Sequence, residues 1–69
     1  MMQKQRALVA GDYVRTLQEI EIGPTYFILW FGGGGTCRGR VSGREDKAAI
    51  ERTLVVADLV LVDKEGRPI

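Results

Sequence analysis

Apolar residues recur in three different rhythms along the chain. Between Asp12 and Ile22 the rhythm is ambiguous. Thr16, Gln18, Ile20 and Ile22 would share one face of a strand, with Leu17, Glu19 and Glu21 on the other. A helix competes for the same segment, because Val9, Tyr13, Leu17 and Ile20 fall at helical spacings and Gly23-Pro24 would stop one. The β-branched Val14, Thr16, Ile20 and Ile22 tip the reading toward strand, with Gly11-Asp12 bending the chain before it. The second rhythm is continuous. Tyr26 to Phe31 reads YFILWF, a strand buried on both faces, with Tyr26, Ile28 and Trp30 to one side and Phe27, Leu29 and Phe31 to the other. Thr36 to Val41 is the returning strand of a hairpin, its central Gly39 marking a bulge or a weak point. The third rhythm is helical. Ser42 and Glu45 fit a capping box, Glu45 and Asp46 suit the positive end of a helix dipole, and Ile50, Leu54 and Ala57 form an apolar stripe. A helix is therefore expected over residues 43–57. Leu59 to Val62 is a second strand apolar on both faces. Asp63-Lys64-Glu65-Gly66 then reads as a turn ending in a left-handed glycine, which folds Arg67, Pro68 and Ile69 back beside that strand.

These elements predict an α+β fold: a small antiparallel sheet of about four strands, in the order β-β-β-α-β, with one helix near residues 43–57. One helix of about four turns covers only one face of a sheet. The other face, carrying Tyr26, Ile28 and Trp30, is expected to meet another molecule. That makes the chain a homo-oligomer, dimer or larger, or a module docked on a larger protein. Gly11-Asp12-Tyr13-Val14 resembles the Gly-Asp-X-Val turn common in small SH3-like barrels, over four of the 69 residues. The resemblance implies a partly closed SH3-like barrel as the alternative fold.

Size sharpens the expectation of a partner. Residues 1–69 make a single small domain, and a domain of this length buries only about 60% of the surface its unfolded chain exposes. Small domains are usually supplemented by disulfides, a metal or a partner subunit. Cys37 is the single cysteine and there is no histidine, so neither an intrachain disulfide nor a four-ligand zinc site can be built. Association remains. Ten Lys/Arg against nine Asp/Glu give a net charge of +1, too balanced to signal a nucleic-acid or membrane-surface protein by totals. No apolar run approaches the length of a membrane helix and the N-terminus lacks the apolar core of a signal peptide. A cytoplasmic location and no membrane partner are therefore expected.

Candidate chemistry is sparse. Gly32 to Gly35 suggest a phosphate-cradling loop, but the lysine and hydroxyl residue of a nucleotide-binding loop are missing after them, and no βαβ unit follows. A flexible hairpin turn is the simpler reading. Arg38 and Arg40 would project from one strand face, with Arg44 just beyond. Together with the glycine loop and a stacking ring from Trp30 or Tyr26, they form the candidate contact for nucleic acid; a solvated strand face is the plainer account. Cys37 has arginines near it but no histidine base, which favours a structural thiol over a nucleophile. Glu19/Glu21 and Glu45/Asp46 read as surface charge. The sequence thus predicts a non-enzymatic interaction module with no cofactor, acting through Tyr26, Ile28 and Trp30. The alternative is nucleic-acid binding through Arg38, Arg40 and Arg44.

Overall fold

A computed structural model describes residues 7–42 and 50–69 of the chain. Five strands form one antiparallel sheet: β1 (Tyr13–Thr16), β2 (Tyr26–Phe31), β3 (Thr36–Val41), β4 (Glu51–Val55) and β5 (Leu59–Val62). Their order across the sheet is β4-β3-β2-β1-β5. Two 3₁₀ turns, Leu17–Glu19 and Val56–Asp58, follow β1 and β4.

The expected α+β fold is corrected here. No α-helix occurs among the described residues. The segment expected to end a helix at residue 57 is instead strand β4 running into a 3₁₀ turn. Residues 43–49, with the Glu45 of the expected capping box, lie outside the described residues. The physical reason is pairing. Thr36 to Arg40 of β3 lie opposite Val55 to Glu51 in unbroken register, and Thr53, Val55 and Val56 are β-branched residues that suit a pleated surface. The first segment is also shorter than expected. The strand stops at Thr16, and a 3₁₀ turn carries Leu17 to Glu19. There the Thr16 hydroxyl bonds the Glu19 carboxylate at 2.9 Å. The other three strands and the glycine-ended turn after Val62 lie where the sequence puts them.

One layer builds a core by curling. Neighbouring strands lie about 4.8 Å apart, so β4 and β5, four gaps apart, would be about 19 Å distant in a flat sheet. Only Val56–Asp58 separates Val55 from Leu59, and four residue steps reach at most about 14 Å. The sheet must therefore bend, and its concave face gathers Val14, Tyr26, Ile28, Cys37, Leu54 and Leu59, contributed by all five strands, into one cluster. Each fully buried apolar side chain of this kind contributes roughly 1.5–3 kcal/mol. Gly39 makes the closure fit. A Cβ there would stand 2.7 Å from Leu54 Cδ1 and 3.2 Å from Tyr26 Cβ. The ladder nonetheless stays open between β4 and β5, so the SH3-like barrel held as the alternative is not closed by main-chain bonds.

The two edges end differently. Beyond β5 the chain doubles back. Asp63 N donates to Arg67 O at 2.8 Å, Ile69 N to Leu61 O at 3.4 Å, and Val62 bridges to Pro68. The Asp63 carboxylate accepts from Glu65 N at 3.0 Å and Arg67 N at 2.8 Å, and Gly66 takes φ 89°. β4 has no such cover among the described residues.

Candidate binding face

The convex face of the sheet carries the residues singled out by sequence, but not in the expected grouping. The β2–β3 register shifts between Ile28 and Trp30, a bulge at Leu29 that reverses the alternation of the strand. Tyr26 and Ile28, 1% and 0% exposed, point into the core. Trp30, 56% exposed, points out of it. The three therefore do not share one face, and only Trp30 is available to a partner. β2 is not buried on both sides either, since Trp30 and Phe31 are both exposed.

Across the convex face the ladders set two rows. In the first, Val62, Tyr13, Phe27, Arg40 and Glu51 are successive cross-strand partners. The Tyr13 and Phe27 rings meet edge-on with centroids 5.4 Å apart, and the Arg40 guanidinium lies 6.0 Å from the Phe27 centroid. Arg40 Nε is shielded from solvent without a hydrogen-bond partner among the described residues, and the Phe27 ring face lies beside the guanidinium. In the second row Trp30, Arg38 and Thr53 are partners. Arg38 Nε donates to Glu51 Oε1 at 3.1 Å and Nη1 to Thr53 Oγ1 at 2.9 Å. Glu51 thus stands opposite Arg40 and ion-pairs with Arg38, which spends much of the positive field the two arginines would offer a phosphate. Arg44 lies outside the described residues.

Trp30, Arg38, Glu51 and Thr53, with Gly32, Thr36 and Cys37, line an open groove of about 400 Å³. The glycine run closes it at one end as a hairpin turn. Gly34 and Gly35 take φ 69° and 75°, a left-handed pair that residues with a Cβ adopt only at a cost. Gly32 N donates to Thr36 O at 3.0 Å, the Thr36 hydroxyl donates to Gly33 O at 2.9 Å, and Val56 N donates to Gly35 O at 2.9 Å. Cys37 is a free, buried thiol whose pKa is raised by desolvation, which keeps it protonated and unreactive.

Sequence reasoning missed Arg52. Its guanidinium donates to the Tyr26 hydroxyl and lies 5.4 Å from that ring's centroid. The phenol, whose ring is buried with Ile28, thereby gains a polar partner at the rim of the core. Only the β3–β4 pairing, which sets Arg52 opposite Gly39, reveals this.

Comparison of the chain with protein-family models, with curated proteins and with solved structures gives no match. No helix among the described residues is long and apolar enough to cross a membrane.

Proposed function

We propose that the chain is a small, non-enzymatic interaction module that associates with protein, a second copy or a larger partner, through the convex face around Trp30. The observation that carries this is the placement of Trp30. It is a large ring on a regular strand, more than half exposed, in a domain too small to waste apolar burial. Val55, also exposed, lies on the same face opposite Thr36 at the base of the glycine hairpin. Exposed aromatics on a rigid scaffold beside an arginine are the usual centre of protein interfaces. Tyr26 and Ile28 serve this reading as the core beneath the face. Cytoplasmic residence belongs to the same reading and rests on the unpaired thiol of Cys37.

Trp30 is the single tryptophan, so its fluorescence tests the proposal directly. Emission should shift to the blue as protein concentration rises or as a protein partner is added, and Trp30→Ala should weaken association at least tenfold. Arg38→Ala and Arg40→Ala should leave it nearly unchanged. Association indifferent to Trp30→Ala would overturn the reading.

One observation favours nucleic acid as a second reading: Trp30 stands next to Arg38 in register, a stacking ring beside a guanidinium. On that reading, titration with a single-stranded oligonucleotide shows affinity that falls with salt, and Arg38→Ala and Arg40→Ala lower both the affinity and its salt slope. Glu51, paired with Arg38, weighs against it.

A further inference from the structure

The two bonds that bracket β4 fix which of its backbone groups are free. Val41 N donates to Ile50 O at 2.9 Å and Val56 N donates to Gly35 O at 2.9 Å. Both belong to the same antiparallel register as the pairs between them. In such a ladder, residues with hydrogen-bonded partners alternate with residues whose main-chain groups point the other way. Positions 50, 52, 54 and 56 therefore address β3. Glu51 and Thr53 direct their N–H and C=O groups away from the sheet, with no partner among the described residues. Val55 does so with its N–H, while its C=O opens the 3₁₀ turn of Val56–Asp58. All three are exposed.

The opposite edge shows the contrast. There the tail occupies the outward groups of Leu61 and Asp63. By the same alternation, the residue of the tail that faces outward is Pro68, which has no N–H to offer. That edge is closed to further strands. The β4 edge presents Thr53 at the corresponding central place, with neither donor nor acceptor engaged among the described residues. Proteins ordinarily protect such an edge.

We infer that β4 pairs antiparallel with β4 of a second copy about a two-fold axis at Thr53, continuing the sheet from one chain into the other. The inference rests on the reading of the chain as an association module and names the partner and the surface. The strand is self-complementary in one register only. With Thr53 opposite Thr53 of the second copy, Glu51 faces Val55. The two Thr53 residues then exchange two main-chain bonds, and each Val55 N–H donates to Glu51 C=O of the other copy, four bonds in all. Arg52 falls opposite Leu54, and no like charges meet. Sliding so that Leu54 meets Leu54 of the second copy leaves Glu51 unpaired and two bonds fewer. Sliding the other way sets Arg52 against Arg52. Register is thereby specified by both hydrogen bonding and charge. The convex rows join as well, running Trp30, Arg38, Thr53 into the same three residues of the second copy in reverse order.

The test uses the full chain and three variants at Thr53, with molar mass as the readout. Wild type is expected at twice the chain mass of 7.7 kDa. Thr53→Pro removes a donor that has no partner among the described residues, so the sheet remains, by circular dichroism, while the mass falls to that of one chain. Thr53→Lys and Thr53→Glu provide the check should proline disturb the strand. Each alone places like charges on the two-fold axis and runs as a single chain, and an equimolar mixture recovers the doubled mass. A mixture that stays at one chain mass, or single variants that associate like wild type, would overturn the inference. Trp30→Ala separates it from the reading beneath it. Association lost in Trp30→Ala but kept in all Thr53 variants sinks the edge and spares the aromatic face. Association lost in the Thr53 variants but kept in Trp30→Ala does the reverse.

Discussion

The two edges of one sheet show how the same chain treats the same problem in opposite ways. Beyond β5, four kinds of interaction cooperate: the Asp63 carboxylate caps two backbone amides, Gly66 supplies the left-handed turn, the tail bonds to the strand, and Pro68 faces outward. Beyond β4 none of these appears among the described residues, and the strand offers Glu51, Thr53 and Val55 to solvent. A closed edge is held by local sequence within seven residues. An open one remains usable by another molecule. The contrast teaches that this small domain covers one edge of its sheet with its own local sequence, while the described residues leave the other without such cover.

The comparison is broken most severely through the core that both edges share. Ile28 is fully buried, so Ile28→Ala should lower unfolding free energy by about 2–5 kcal/mol. Urea denaturation measures this, and a loss below about 1 kcal/mol would contradict the single curled core. The next largest effect should come from Gly66→Ala. Its φ of 89° disfavours a side chain, and a Cβ would stand 2.6 Å from Arg15 Nη2 and 2.8 Å from Thr25 Oγ1. A cost of about 1–3 kcal/mol follows from backbone strain and overpacking. The tail should loosen from β5, and a second edge should open. The chain should then form species beyond the dimer in sedimentation, whereas wild type does not. Asp63→Ala removes two carboxylate–amide bonds and should cost about 1 kcal/mol, reduced by their exposure. It sharpens the same comparison, because faster amide exchange should be confined to Asp63 to Ile69 and should spare β4. Smallest is Glu51→Gln. The ion pair with Arg38 is exposed and should be worth under about 0.5 kcal/mol, so thermal stability should hardly move. Tighter oligonucleotide binding in this variant, with Arg38 released, would strengthen the nucleic-acid reading. No gain would weaken it.

Local pattern made three strands legible. The YFILWF run, the TCRGRV return and the LVLV strand each declare themselves by composition and flanking glycines, and the DKEG turn does so by residue type. Residues 50–57 misled because Ile50, Leu54 and Ala57 satisfy a helical spacing while Leu54 alone, among exposed neighbours, satisfies a strand equally well. Which one forms is decided by β3, a partner distant from any local window. The count of covers failed for a related reason: one curled layer can bury its own concave face, which the composition of separate strands does not reveal. For the site, the alternation of Tyr26, Ile28 and Trp30 holds only in a strand without a bulge. The shift at Leu29 falls between the Ile28–Gly39 and Trp30–Arg38 pairs, and of the three Trp30 alone faces out. Arg38 and Arg40 do share a face, as alternate positions require. Their partners Glu51 and Phe27 come from the neighbouring strands and are not visible in spacing.

The central claim is that the exposed face and open edge make this chain an association module. The most direct test is the molar mass of the unmodified chain by light scattering, across a hundredfold range of concentration and at low and moderate salt. The account predicts a species of twice 7.7 kDa, diluting to one chain without larger aggregates and little affected by salt. A mass of one chain throughout the range would contradict it.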